Sequence, residues 1–121
     1  MGCGGVESAS DVIEMMMAGA TAVQVGATTI TALLLSENRG RLINKVTLKN
    51  DSFINGDLHF ARLQDPEVIL DTVIEAVTKI TDGSDVSAIG VTGQMHGILY
   101  LDENNAPASP LFTWQDLRGN E

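Results

Sequence analysis

The apolar stretch from Ala88 to Leu101 constrains the fold most, because the polar residues Gln94 and His96 interrupt it at its centre. Residues 87–92 predict a buried strand, and a glycine then breaks the strand before Gln94, Met95 and His96. In α/β proteins, residues that contact ligands lie at strand ends. An amide, a thioether and an imidazole suit a polyhydroxylated ligand. A hydrogen-bonded structural histidine beside a simple hairpin is the other interpretation, and composition alone favours it.

Length and charge exclude several classes of protein. With 121 residues the chain is long enough for one core, and 7 basic against 16 acidic residues give a net charge of −9. Since no cluster of Lys and Arg can neutralise phosphates, we expect no nucleic-acid partner and no membrane surface as partner. No apolar run approaches the roughly 20 residues that a membrane span needs.

The cysteine and histidine counts argue against disulfides and metal clusters. Cys3 is the only cysteine, so it cannot form an internal disulfide, and two histidines cannot build a zinc-type ligand set. We therefore expect a cytoplasmic protein without a zinc-type ligand cluster.

The first 27 residues predict a glycine turn, a helix and a strand. Gly4 and Gly5 lie in the turn, Ser8 can cap the helix, Gly19 ends it, and a short buried strand follows at residues 22–25. A glycine turn that leads into a helix N-terminus can bind an anion through free backbone N–H groups. A tight turn without a ligand is the alternative, and for two bare glycines it is the more common one.

This segment, GCGGVESASDVIEMMMAGATAVQVGA, resembles the last β/α unit of a dihydroorotate dehydrogenase, a flavin-dependent TIM barrel. The resemblance implies that Gly4, Gly5 and Gly26 contact the phosphate of FMN, at the phosphate site that follows the last barrel strands. The remaining strands, the residues around the flavin ring and the catalytic base of that family have no counterpart here, and one unit cannot close a barrel. FMN binding is therefore kept as an alternative.

From Val25 onward the pattern changes to strands around a single helix. Asp65-Pro66-Glu67 predicts the helix start, with Asp as the cap and Pro at the first helical position. An apolar stripe at helical spacing follows, and Asp82-Gly83 ends the helix. Residues 50–63 are predicted to form an irregular surface loop. The predicted strands are 22–25, 30–35, 42–48, 87–92 and 98–101, and residues 111–114 are predicted to be extended.

Four strings in this order resemble the N-terminal part of the FGGY carbohydrate kinases, in particular their xylulokinase and sedoheptulokinase branches. They are VGATTITALLL, LQDPEVILDTVIEAV, IGVTGQMHGILYLDENN and SPLFTWQDLRGNE, spread over residues 25–121, and the last favours the sedoheptulokinase branch. The resemblance implies an α/β fold, an incomplete ribonuclease H-like domain of the actin and sugar-kinase superfamily with a mixed sheet and helices. Residues 1–27 would precede it as one TIM-barrel-like helix–strand unit.

The kinase resemblance also implies three functional regions. Gly26, Thr28 and Thr29 correspond to a hairpin whose amides and hydroxyls approach the phosphates of ATP. Residues 94–96 correspond to a segment that contacts the sugar. A later stretch lines the same sugar site through Trp114, Gln115, Asp116 and Arg118. There are two alternatives for that stretch. Trp114 can pack in the core, and Asp116 and Arg118 can form a surface ion pair that adds little stability.

Two departures from the kinase pattern bear on activity. The family usually carries an aspartate for Mg²⁺ two residues before the hairpin glycine, where this chain has the uncharged Gln24, a poor ligand for a hard cation. The family's general base is an aspartate beyond the position of Glu121, and the second domain has no counterpart here. We therefore expect a kinase fragment that binds a small-molecule sugar but is inactive alone, and that self-associates through unpaired strand edges. A fusion without function is the third hypothesis.

Overall fold

The computed structural model describes residues 21–36, 41–56 and 58–120. The predicted glycine turn with Gly4 and Gly5, and the helix after it, lie outside these ranges. Within them the chain forms two sheets and one long helix. The elements are β1 (Thr21–Val25), β2 (Thr29–Leu35), β3 (Leu42–Lys49), β4 (Phe53–Ile54), β5 (Leu63–Gln64), α1 (Pro66–Thr81), β6 (Ile89–Gly93), β7 (Leu111–Phe112) and a short 3-10 helix (Leu117–Asn120).

The larger sheet is mixed, with the strand order β3-β2-β1-β6. β2 runs antiparallel to both β1 and β3, whereas β6 is parallel to β1 and places Gly93 opposite Val25. Because carboxyl ends of parallel strands meet at one edge of a sheet, the segments that follow β1 and β6 lie side by side. The mixed α/β fold predicted from the sequence is confirmed.

A tight turn joins β1 to β2, as the sequence predicts. The amide of Gly26 donates to the carbonyl oxygen of Thr29 at 2.9 Å, and Val25 pairs with Ile30 in the first rung of the hairpin. A Cβ atom at position 26 would lie 2.9 Å from that same carbonyl oxygen. Only glycine therefore fits at the start of this turn.

The helix α1 begins and ends where the sequence places its signals. Asp65 Oδ1 accepts hydrogen bonds from the amides of Glu67 at 2.9 Å and Val68 at 3.4 Å, and Pro66 occupies the first turn, where no N–H is needed. Gly83, at a φ of 70°, follows the C-cap residue Asp82 and ends the helix. Among the described residues, no helix has the length and apolar character to cross a membrane.

The core lies between α1 and the first three strands. Ala76 and Ile80 of the helix are buried against Val23 of β1 and Ile30 of β2. The apolar stripe predicted for α1 is wider than the face that packs, because Leu70 and Ile74 are 58% and 54% exposed. The residues of that predicted stripe are Ile69, Leu70, Val73, Ile74, Val77 and Ile80.

Two regions differ from the sequence-based prediction. The predicted loop at residues 50–63 contains β4 and leads into β5, and with β7 these form a second sheet in the order β4-β5-β7. Conversely, residues 98–101 do not form a strand but make only single bridges, from Ile98 to Phe112 and from Leu101 to Pro107. Strands of two residues carry no periodic pattern, so the sequence alone could not mark them.

Candidate functional site

A cleft of about 400 Å³ collects four of the residues singled out from the sequence. It lies between the segment after β6 and the segment around β7. The residues that line it are His96, Ile98, Tyr100, Phe112, Thr113, Trp114, Asp116 and Arg118. Two stretches that are separate along the chain therefore form one concave surface.

His96 enters the cleft from a strained turn. Its backbone φ is 62°, in the left-handed region that non-glycine residues seldom occupy and that tends to be found at functional sites. The next residue, Gly97, packs so closely on β7 that a Cβ there would lie 3.0 Å from Leu111 Cδ1. The tight approach of the backbone to β7 fixes where the imidazole emerges.

Trp114 lines the cleft with most of its surface open. Its side chain is 62% exposed, so the core-packing alternative does not apply. The neighbouring Thr113 is buried, and both its amide and its hydroxyl donate to the carbonyl oxygen of Arg62, at 3.1 and 2.8 Å. Because Thr113 is anchored in this way, the indole is held at the surface of the cleft.

Asp116 and Arg118 form a bidentate ion pair, called the fork below, in the wall of the cleft. Arg118 Nε donates to Asp116 Oδ1 and Nη2 to Oδ2, each at 2.8 Å, and the amide of Arg62 adds a bond to Oδ2 at 3.0 Å. The guanidinium lies 4.7 Å from the centre of the Phe112 ring. The bonds from Arg118 and from the Arg62 amide hold the pKa of Asp116 well below its ordinary value of 3.8. Asp116 is therefore ionised at neutral pH.

Gln94 and Met95 lie apart from the cleft lining. Gln94 is half-buried and donates from Nε2 to Oε1 of Gln64 at 2.7 Å, whereas Met95 is 44% exposed. Gln94 Oε1 is buried and accepts no hydrogen bond from any described residue. Of the predicted triplet, only His96 lines the cleft.

The turn between β1 and β2 is held by two buried amide side chains. Asn50 Nδ2 donates to the carbonyl of Gly26 at 2.8 Å, and Gln64 Nε2 donates to the carbonyl of Ala27 at 3.0 Å. The hydroxyl-bearing residues Thr28 and Thr29 are exposed. The predicted phosphate hairpin is thus a braced turn that presents its threonines outward.

Sequence reasoning missed several residues of the site. Ile98, Tyr100 and Phe112 line the cleft, and the sequence carried only their apolar character, which also fits core packing. Gln64 and Asn50 gave no signal, because each is a single amide whose partner in the turn lies more than twenty positions away.

The arrangement of strands and helix is the one found in sugar kinases. The crystal structure of gluconate kinase from Lactobacillus acidophilus matches with a TM-score of 0.71 and 25% identity, over 80% of this chain and 20% of that one. The model of the FGGY family of carbohydrate kinases, N-terminal domain, matches residues 20–121. The chain belongs to the FGGY family of carbohydrate kinases.

Curated relatives agree with this assignment. Gluconokinase of Bacillus subtilis is 32% identical over 99 residues, which are 79% of this chain and 19% of that protein. Xylulose kinase of an Arthrobacter species is 41% identical over 54 residues, 45% of this chain and 56% of that protein. The chain thus spans about a fifth of the gluconokinase length. Residues 1–36 match the dihydroorotate dehydrogenase model, as the sequence resemblance indicated.

The described residues fit a phosphate group better than a metal ion. At the turn, the hydroxyls of Thr28 and Thr29 are exposed and can donate hydrogen bonds to phosphate oxygens. In residues 21–36, 41–56 and 58–120, no group of three His, Cys, Asp or Glu is placed to hold a metal. Gln24 brings no carboxylate to β1, so the turn fits an anion through hydrogen bonds and not through a bridging cation.

Proposed function

We propose that the chain forms the sugar-facing part of an ATP-dependent carbohydrate kinase. The observation that carries this proposal is the shared cleft, in which His96 meets Trp114, Asp116 and Arg118. The ligand is a polyhydroxylated carbohydrate, of the xylulose or sedoheptulose type from the sequence resemblance, or gluconate from the names of relatives.

The groups in the cleft suit such a ligand. An exposed indole face packs against the C–H surface of a sugar, and Trp114 offers one. Arg118 uses Nε and Nη2 on Asp116, which leaves further N–H donors of its guanidinium for hydroxyl oxygens. The ionised Asp116 retains lone pairs that accept from hydroxyls. The cleft thus supplies donors and acceptors on either side of an apolar platform.

The turn at residues 26–29 would hold the phosphates of ATP. Because the Gly26 amide already donates to the Thr29 carbonyl oxygen, the donors proposed for the phosphate oxygens are the amides of Ala27 and Thr28 and the hydroxyls of Thr28 and Thr29. In a complete kinase, the γ-phosphate would pass from ATP to a sugar hydroxyl. ATP supplies the phosphoryl group, and this chain's residues orient the sugar and brace the turn.

We propose that the 121-residue chain binds sugar and does not turn it over alone, in the cytoplasm, where a lone cysteine stays reduced. The uncharged Gln24, at a position where the family usually carries an aspartate for Mg²⁺, supports this. Calorimetric titration with D-xylulose, sedoheptulose or gluconate should give a Kd of about a millimolar for one of them. Trp114→Ala should abolish the heat, and Leu117→Ala, at an exposed residue outside the cleft lining, should not. No heat with any of the three would refute the proposal.

Flavin binding is the second candidate, because residues 1–36 match dihydroorotate dehydrogenase. Of the three implied phosphate ligands, Gly26 alone lies in the described ranges. There it opens an antiparallel hairpin with β2, whereas barrel strands run parallel to their neighbours. Purified chain that releases FMN on denaturation would support flavin binding. A colourless protein that binds no added FMN would exclude it.

We also propose self-association along β6. In the described part of the chain β6 is an outer strand, without a charged residue, and Ile89 and Val91 are 54% and 67% exposed. The opposite outer strand, β3, carries Lys45 and Lys49, which discourage pairing with another chain. An unguarded apolar edge favours pairing through β6.

A further inference from the structure

Gln64 occupies a position between the turn and the segment after β6. It ends β5 and its side chain is fully buried. From there Nε2 donates to the carbonyl of Ala27 at 3.0 Å, and Oε1 accepts from Gln94 Nε2 at 2.7 Å. One side-chain amide therefore links the proposed phosphate turn to the residue two positions before His96.

We propose that Gln64 is a positioning residue that couples the turn at residues 26–29 to Gln94. Its importance for a kinase rests on the proposed function, although the coupling itself rests on the two hydrogen bonds. Both hydrogen bonds involve the same planar amide of Gln64, so a movement of Gln94 shifts that amide and changes the hydrogen bond to the Ala27 carbonyl. A movement of Ala27 changes the hydrogen bond to Gln94 in the same way.

Gln64 also fixes which end of the Gln94 amide is free. Gln94 Nε2 is used in the bond to Gln64, and the flipped amide would set two carbonyl oxygens against each other. Gln94 Oε1 thus remains as an acceptor, buried and without a donor among the residues that the structure describes. A buried acceptor without a donor costs free energy, so the bond between Gln94 and Gln64 is maintained against that cost.

Asn50 provides a matched comparison. It is also buried and also supports the turn, since Nδ2 donates to the carbonyl of Gly26 at 2.8 Å while Oδ1 accepts from the amide of Ser52 at 3.2 Å. None of these bonds reaches Gln94. The coupling therefore predicts different behaviour for the two buried amides, although both brace the same turn.

A double-mutant cycle read by amide hydrogen exchange of the full chain tests the coupling. Gln94→Met should change the exchange rates of the Ala27 and Thr28 amides about twofold or more in the wild-type background. In Gln64→Met the same change at position 94 should have no further effect on these amides. In Asn50→Leu, which removes the donor to Gly26 and the acceptor for the Ser52 amide but neither bond of Gln64, the effect should persist.

Additive changes, with the same effect of Gln94→Met in both backgrounds, would overturn the proposal. If Gln64→Met does not give a folded amide spectrum, Gln64→Leu replaces it, because leucine also lacks both the donor to Ala27 and the acceptor for Gln94. The effect should vanish there as well, and its persistence would overturn the coupling. A parallel titration with D-xylulose distinguishes a failure of the proposed function from a failure of the coupling through Gln64. Coupling without sugar binding refutes the proposed function alone, and sugar binding with additive exchange refutes the role of Gln64 alone.

Discussion

Asp116 accepts hydrogen bonds from both Nε and Nη2 of Arg118, each at 2.8 Å, and the guanidinium carbon lies 4.7 Å from the centre of the Phe112 ring. A bidentate pair of this kind restricts the arginine far more than a single contact does. The side chain of Asp116 is only 7% exposed, whereas that of Arg118 is 44% exposed. The fork therefore orders one wall of the cleft and leaves the cation available to a ligand.

This fork predicts a dependence on pH. Because the pKa of Asp116 lies below its ordinary 3.8 in the folded chain, the fork contributes stability at pH values above about 4, and the contribution is lost as the pH falls toward the depressed pKa. The Arg118 Nε–H resonance should therefore stay unchanged from pH 7 to about 4 and move only below that range. Asp116→Asn should remove this acid transition, and a transition of the same size in the variant would contradict the assignment.

Gly26→Ala should destabilise the chain by about 1–3 kcal/mol, because the added methyl group meets the Thr29 carbonyl at 2.9 Å. Urea denaturation measures the free energy of unfolding. Gly56→Ala is the matched control, since nothing lies within 4 Å of a Cβ there, and it should be neutral or slightly stabilising. Equal effects of the two substitutions would show that the turn is not tightly closed.

Asp65→Ala should cost about 0.5–2 kcal/mol, because two amides of the first helical turn lose their acceptor. The helicity measured by circular dichroism should melt at a lower temperature. Asp71→Ala removes a carboxylate from the exposed side of the same helix and should change stability by less than about 0.5 kcal/mol. A loss at position 71 as large as that at position 65 would point to net charge and not to capping.

Val91→Lys should reduce self-association, because a charge on β6 makes pairing of two such edges unfavourable. Sedimentation velocity over a range of concentrations measures the effect. Ile43→Lys, at a residue 61% exposed on the lysine-bearing strand β3, should leave the association unchanged. If both substitutions act alike, or if the wild-type chain sediments as a monomer throughout, association through β6 is wrong.

Much of the fold follows from local signals. The Gly26 turn and the Asp65-Pro66 cap act within a few residues, and both elements form as predicted. The alternation in residues 42–48 likewise gave a strand. By contrast, β4 and β5 are too short to carry a pattern, and the single bridge from Ile98 to Phe112 depends on a partner fourteen positions away.

The site was predictable only where a residue resembles a known motif. His96 and Trp114 are eighteen positions apart, and nothing local in the sequence brings them together, yet they line one cleft. Gln94 was expected beside His96 but is bonded to Gln64, thirty positions earlier. Burial and hydrogen bonding between distant residues decide such orientations, and a linear pattern does not contain them.

Fluorescence of Trp114 tests the central claim most directly, because it is the only tryptophan of the chain and it lies in the cleft. Titration with D-xylulose, sedoheptulose or gluconate should change its emission saturably and protect it from quenching by acrylamide. His96→Gly should remove that response while keeping the fold, since glycine adopts the left-handed φ of 62° without strain. An emission that stays constant with all three, or that drifts equally with ethylene glycol, would contradict a sugar-binding cleft.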